Sequence, residues 1–451
     1  MTKKRILVLG NKESTREILE ILSQIQTGIQ IARADYDEKS EKAIEWHHPD
    51  LVLLDTDQRE RDSPLISPSV SKALEKKRAK VAVVSSRTDP EAPLEARRLN
   101  AAGYILKPYN VRELIAHVNT LLQGKKRIAC IGGGTGLFTL LSGLKKLPNV
   151  FLTSIVSMSD DGGSSGRLRS TFGILPPGDI RRSLVALSNA PELMNRVIQY
   201  RFQKGRELEN HSFGNLFLAA LSEIKGSMSE AVRALGDILN IQGIVLPVTT
   251  TMTDLVAKFE DGTVVRGESK IDLAEGRHPE LRVTELWHEP EPVCNPDAYA
   301  SILYADLVII GPGDLFTSIV ANLLIPGIRD ALERTAARKI YVCNVMTKPG
   351  ETTHYSAYDH VHEMAKYLGG DYLDYILISN TEFSSRGLAE YAKLGQKPVP
   401  ASGIAEIQKI TRAQIVVADL GHEEELVRHD SEKLKNQIEK LLEVKTLKVP
   451  A

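Results

Sequence analysis

Arg127-Ile128-Ala129-Cys130-Ile131-Gly132-Gly133-Gly134-Thr135-Gly136-Leu137 is the stretch whose reading decides the fold. Arg127 to Ile131 has the apolar density of a buried strand. Leu137, Leu140, Leu141 and Leu144 follow at helical spacing. A strand, a glycine turn and a helix make the opening unit of a parallel α/β sheet, and the turn aims backbone N–H groups and a helix N-terminus at a phosphate. The run is neither the usual G-x-G-x-x-G nor a Walker loop, because no Gly-Lys-Ser/Thr follows. Taken alone it is also compatible with a tight turn that holds no ligand.

Downstream, Phe151 to Ser157 reads as a second strand, followed by Asp160-Asp161-Gly162-Gly163-Ser164-Ser165-Gly166-Arg167. Its polarity and glycines predict a loop. Asp160 and Asp161 could hold a ribose hydroxyl or Mg²⁺, and Ser164, Ser165 and Arg167 a phosphate. Pro176-Pro177-Gly178-Asp179 places a rigid turn before a helix, with Asp179 as its N-cap and Arg181 and Arg182 at the surface or ion-paired. His211 to Leu216 opens another helix, where Asn215 suits a polar ring edge.

Leu307 to Ile310 is a strand ending on Gly311-Pro312-Gly313, with Thr317 and Ser318 starting a helix, a second anion-type terminus. Ile340 to Cys343 ends at Asn344 and Thr347. Before these lies Val245 to Glu291, rich in β-branched residues and carrying the hairpin-type turn Asp261-Gly262. It predicts a small antiparallel insert, useful as a lid or an oligomer contact.

The first 124 residues alternate strand-like runs with helical ones, which also implies a parallel sheet. Three of these runs end on Asp55, Ser85 and Lys107. Polar groups at strand carboxyl ends converge on one edge. Gln123 to Lys126 is the linker, so the expected domains are 1–124 and 125–451.

Composition narrows the function classes. The chain has 451 residues, 42% hydrophobic and 25% charged, with a formal net charge of -1. Such a chain buries a sizeable core but offers no global positive field for nucleic acid or membrane. Its three cysteines lack metal or disulfide spacing, and no apolar run is long enough to span a bilayer. A cytoplasmic protein is expected.

The first segment resembles the receiver domain of response regulators. In that family the residues matching Asp55, Ser85 and Lys107 accept, sense and pair with phosphate. Gly10 and Asn11 stand where the family has its Mg²⁺-binding acidic pair, so a pseudo-receiver is expected.

The remainder, from about residue 127 to 445, resembles the YvcK/CofD family. The matching motifs are Gly132 to Gly136, the Asp160 run, Pro176 to Arg181, His211 to Leu216, Gly311 to Ser318, Asn344 to Thr352 and Arg428 to Ser431. The resemblance implies a flavodoxin-like receiver fold followed by a Rossmann-like, doubly wound parallel α/β sheet. Members of the YvcK branch bind UDP-sugars such as UDP-N-acetylglucosamine and are tied to gluconeogenic growth, wall-precursor supply and cell shape. CofD members are Mg²⁺-dependent transferases that make a phospholactyl cofactor.

The site implied comprises Gly133, Gly134, Thr135 and Gly136, then Asp160, Asp161, Ser164, Ser165 and Asn215. Gly311, Pro312, Gly313, Thr317, Ser318, Asn344 and Thr347 form its second wall, and Arg428 meets the UDP-sugar. Ser431 reads as a helix N-cap. Three functions are carried forward: a UDP-sugar-binding regulator with a regulatory protein partner and a homo-oligomeric state, a CofD-type transferase, and an NAD-binding protein. No nucleophile and base pair is recognisable by spacing, and no metal ligand set is fixed.

Overall fold

The structure is a computed structural model and describes residues 3–25, 28–37, 40–57, 66–273, 278–423 and 427–443. Strands β1 (Lys4–Leu9), β2 (Ile29–Ala34), β3 (Leu51–Asp55), β4 (Lys80–Ser85) and β5 (Gly103–Leu106) form a parallel sheet in the order β2-β1-β3-β4-β5. That is the flavodoxin-like doubly wound order. Strand β2 went unread in the sequence because, as an edge strand, it has no fully buried residue. Asn110 caps the following helix, Val111–Gln123, by accepting from the Glu113 N–H, and the helix stops at Gly124.

A second sheet begins two residues later. It contains β6 (Lys126–Gly132), β7 (Val150–Val156) and β8 (Ile244–Pro247). An antiparallel insert interrupts it, made of β9 (Asp254–Phe259), β10 (Val264–Arg266) and β11 (Val283–Glu289). The insert is smaller than expected, because Leu246 and Pro247 belong to β8 of the main sheet. The main sheet resumes with β12 (Leu307–Ile310), β13 (Arg338–Val342), β14 (Tyr375–Ser379) and β15 (Gln414–Ala418), and a short antiparallel pair, β16 (Gly421–Glu423) and β17 (Val427–His429), follows.

The main sheet is parallel throughout, in the order β15-β14-β13-β12-β6-β7-β8. From β6 the chain adds strands on one side, then crosses over and adds the rest on the other. This is the Rossmann-like order, extended by a strand, and its reversal lies between β6 and β12. The helix Gly134–Leu144 covers the sheet as its spacing predicts, with Leu137, Leu140, Leu141 and Leu144 fully buried.

Charged contacts join the two sheet systems. Arg233 pairs with Glu113 (2.9 Å) and Asp297 (3.0 Å), and Arg112 with Asp237 (2.7 Å). Burial pushes the Glu113 carboxyl up against the pull of Arg233. Tyr304 adds a hydroxyl hydrogen bond to the Pro93 carbonyl (3.0 Å). Among the described residues no single helix is long and apolar enough to cross a membrane.

Candidate functional site

The carboxyl ends of β6 and β12 are neighbours, and each runs straight into a glycine turn. The two turns therefore flank the crevice at the strand-order reversal, where doubly wound sheets bind ligands. They touch: a β-carbon on Gly136 would overlap the Pro312 carbonyl oxygen. Gly134 has φ +62°, the left-handed region that glycine adopts without strain. A cleft of about 640 Å³ opens over these turns.

Both helix termini expected to receive an anion already carry a carboxylate of the chain. At the first, the Gly134 N–H donates to Asp179 Oδ2 (2.7 Å), and Arg182 Nη1 donates to Asp179 Oδ1 (2.9 Å). Burial is the main cause that pushes Asp179 up, with Arg182 opposing it. The N–H groups of Thr135 and Gly136 have no protein acceptor among the described residues. At the second, the Phe316 and Thr317 N–H groups donate to Glu351 Oε2 (3.0 and 3.3 Å), and Thr317 Oγ1 donates to Oε1 (2.8 Å). Thr317 is therefore turned away from the cleft, and the π-helical turn Leu315–Val320 is sealed from within.

The acidic side of the cleft comes partly from the insert, whose helix Glu268–Leu273 supplies Glu268 and Asp272. Asp272, Asp314 and Glu351 bring oxygens within 4.8 Å of one another. These are hard donors of the kind Mg²⁺ takes, and they are the carboxylates here that could hold a cation. The Lys348 ammonium already bridges Asp272 and Asp314, the latter at 2.7 Å, so a metal would have to displace it. Burial works against the charge on Lys348, yet Asp314, Glu351 and Asp272 outweigh it and hold its pKa above the usual value. Burial, then Asp314, pushes Glu351 up to about 8. Burial, then Asp272 and Asp160, pushes Glu268 up to about 10, so this carboxyl is neutral at pH 7.

Gly133, Gly134, Thr135 and Gly136 line the cleft, as do Asp160, Pro312, Gly313 and Ser318. Asn344 and Thr347 close one end with Tyr391, and Arg428, exposed on β17, faces it. Six expected residues stand elsewhere. The Asp160 run is not a loop throughout: a helix starts at Gly163 and buries Ser164 and Ser165 in its first turn. Ser164 Oγ meets His211 Nδ1 (3.0 Å) and accepts from Asn215 Nδ2 (3.2 Å), so these polar groups fasten two helices. Asp161 accepts from the Ser269 N–H (2.8 Å) and anchors the insert rather than a ligand or metal. Gly311 shapes the turn from behind, against Ile319 and Val342, and Thr317 serves Glu351.

Two capping expectations also change. Asp179 lies inside its helix, Gly178–Leu187, and caps the glycine-loop helix instead. Ser431 is the first residue of its helix, and Asp430 caps it by accepting from the Glu432 and Lys433 N–H groups (2.8 and 2.9 Å). Asp179, Arg182, Asp314, Lys348 and Glu351 are the cleft-shaping residues that spacing did not single out. The signal for all but Arg182 was their place inside the Pro176, Gly311 and Asn344 motifs; Arg182 directly follows the first of these.

On the other sheet Asp55, Ser85 and Lys107 do meet at one edge. Lys107 Nζ reaches Asp55 Oδ2 (2.7 Å) and Asp57 Oδ2 (2.8 Å). Burial raises Asp55 despite Lys107, whereas Asp57 is held low by Lys107 and the Ser86 N–H, against burial. Asn11 is spent on the Ser14 N–H (2.7 Å), and among the described residues no cluster of three ligating side chains forms beside Gly10.

Known proteins resemble the part of the chain that carries this cleft. The family described as 2-phospho-L-lactate transferase CofD matches residues 128–420. The gluconeogenesis factor of Bacillus subtilis is 42% identical over 325 residues, covering 70% of this chain and 98% of that protein. That of Halalkalibacterium halodurans is 39% identical over 317 residues, covering 70% and 96%. A crystal structure of a UPF0052 family member from Bacillus halodurans superposes with a TM-score of 0.66 at 38% identity, covering 70% of this chain and 98% of that one. By its matched profile and these relatives, the chain belongs to the CofD family, among the proteins called gluconeogenesis factors.

Proposed function

We propose that this chain is a cytoplasmic regulator that binds a UDP-sugar of the UDP-N-acetylglucosamine type and links gluconeogenic carbon flux to cell-wall precursor supply and cell shape. The observation that carries the reading is the pair of glycine turns at the reversal between β6 and β12. They leave the Thr135 and Gly136 N–H groups open toward one cleft. A diphosphate would lie across these amides, with the sugar or base toward Asn344, Thr347 and Tyr391 and Arg428 closing over the charge. The cleft exceeds what an inorganic phosphate needs and suits a nucleotide-sized ligand. The name given to the relatives fits a regulatory role.

The N-terminal unit acts in this reading as a pseudo-receiver that docks a regulatory protein rather than accepting phosphate. Lys107 is held between two aspartates, and the carboxylates that would recruit Mg²⁺ are absent. A Mg²⁺-dependent transferase of the CofD type is the second reading, favoured by the Asp272, Asp314 and Glu351 oxygens. Calorimetry with UDP-N-acetylglucosamine, UDP-glucose, GTP and NAD, each with and without Mg²⁺, separates them. Tight UDP-sugar binding without consumption supports the regulator. Binding only of GTP with Mg²⁺ moves the chain to the transferases, and binding only of NAD removes both.

A further inference from the structure

The chain carries a formal net charge of -1, yet positive charge gathers at one place on the first sheet. A pocket of about 370 Å³ opens at the amino ends of β1 and β4, the edge opposite the one that carries Asp55. Lys4 and Arg5 begin β1, Lys80 begins β4, and Lys77 and Arg78 end the helix Pro68–Lys77 just before it. Asp50 is the one carboxylate in the lining among the described residues, which leaves a surplus of four positive charges. Asp50 is itself occupied: one oxygen accepts from Lys4 Nζ (3.2 Å) and the other from the Arg5 N–H (2.8 Å). Lys80 Nζ donates to the Leu121 carbonyl (2.6 Å), and Lys77 Nζ lies 3.1 Å from His48 Nδ1. The guanidinium groups of Arg5 and Arg78 are exposed and have no hydrogen-bond acceptor among the described residues. Like charges in a concavity repel one another, and its low-dielectric walls focus their field on an incoming anion.

We propose that this pocket binds the phosphate groups of a compact polyphosphate. Two open guanidinium forks match phosphate oxygens in pairs, which lysines alone would not do. The surplus of four charges calls for a polyvalent anion rather than a lone carboxylate or a single phosphate. The volume lies at the small end of ligand pockets, and no Phe, Tyr or Trp lines it. A nucleobase therefore finds no platform here, and neither does a single strand of nucleic acid, which needs stacked bases along an extended groove. The floor is formed by Leu121 and Leu122 at the end of the helix Val111–Gln123. That helix carries Arg112 and Glu113 to their partners beside the second sheet, so an anion held here touches the element that joins the two sheet systems. The pocket shares no residue with the cleft over the glycine turns, and the inference stands apart from the ligand proposed there.

Calorimetry on the full chain with sodium tripolyphosphate, pyrophosphate, sulfate and ATP, at about 50 and about 150 mM NaCl, tests it. Tripolyphosphate should bind saturably and more tightly than sulfate, ATP no more tightly than tripolyphosphate, and the higher salt should weaken each. Arg5→Gln and Arg78→Gly should each weaken tripolyphosphate at least about 10-fold. Arg78 sits at φ 54° and ψ 30°, a left-handed conformation that glycine adopts without strain, so Arg78→Gly removes the charge and leaves the backbone at ease. Its unliganded Tm should not fall. Arg16→Gln removes an arginine from the same unit outside the pocket and should leave the affinity unchanged. Tripolyphosphate binding that survives both pocket substitutions overturns the site. A loss in Arg16→Gln as large as in Arg78→Gly reduces it to a diffuse field and overturns it as well. Sulfate bound as tightly as tripolyphosphate, or ATP bound more tightly through the same two arginines, overturns the polyphosphate class.

Discussion

Replacing Glu268 by glutamine should stabilise this protein at neutral pH and barely change it in acid. The carboxyl lies on the insert helix over the cleft, where burial, Asp272 and Asp160 push it up to about 10. The unfolded chain releases this proton near 4.5, while the fold retains it. Stability from this group is therefore complete below about 4.5 and falls steadily as pH rises toward 10. At pH 7 the gap above the unfolded value is about 2.5 units, and at about 1.36 kcal/mol per unit the upper limit is near 3 kcal/mol. Glu268 keeps partial contact with solvent, which brings the expected gain to about 1–2 kcal/mol. For a chain of 451 residues that is about 1–2 °C in Tm. Differential scanning calorimetry of wild type and Glu268→Gln at pH 5 and pH 8 reads it. Because glutamine mimics the protonated acid, ligand affinity at pH 7 should not move. Equal Tm values at pH 8, or the same difference at both pH values, would refute a neutral Glu268.

Other parts of the structure are as easily perturbed. Gly136→Ala drives a methyl into the Pro312 carbonyl and should cost about 1–3 kcal/mol while abolishing UDP-sugar binding in calorimetry; unchanged affinity would mean the two turns do not share a ligand. Arg233→Ala leaves Glu113 and Asp297 facing each other unpaired, at a cost of about 3–5 kcal/mol. Scanning calorimetry should then resolve an early transition for the first sheet system, and a single unshifted transition would show that this ion cluster does not hold the two together. Acetyl phosphate with Mg²⁺ should leave Asp55 unmodified by mass spectrometry, whereas a stable phospho-aspartate would show that Asp57 and Lys107 suffice without the acidic pair.

Much of this architecture is legible in the sequence because it is local. The apolar run Arg127 to Ile131, the glycines after it and the leucines at helical spacing each act through their neighbours in the chain, and they fold as read. The same holds for Leu307 to Gly313 and for the hairpin at Asp261-Gly262. What escaped depends on distant partners. Ser164 and Asn215 look like ligand groups until His211 and two helix starts enclose them. Glycine and serine at 162 to 166 suggest a loop, yet tertiary packing of Leu168 turns the segment helical. Asp179 and Glu351 seal helix termini 45 and 34 residues away, a pairing that no spacing rule predicts. As a result the glycine loop offers a ligand fewer amides than its sequence suggests.

The most direct measurement is a crystal structure of the full chain with UDP-N-acetylglucosamine. The account predicts diphosphate oxygens within hydrogen-bond distance of the Thr135 and Gly136 N–H groups, Arg428 drawn toward them, and Asp179 still holding Gly134. A nucleotide bound anywhere other than the crevice between β6 and β12, or no bound nucleotide at saturating concentration, would contradict it.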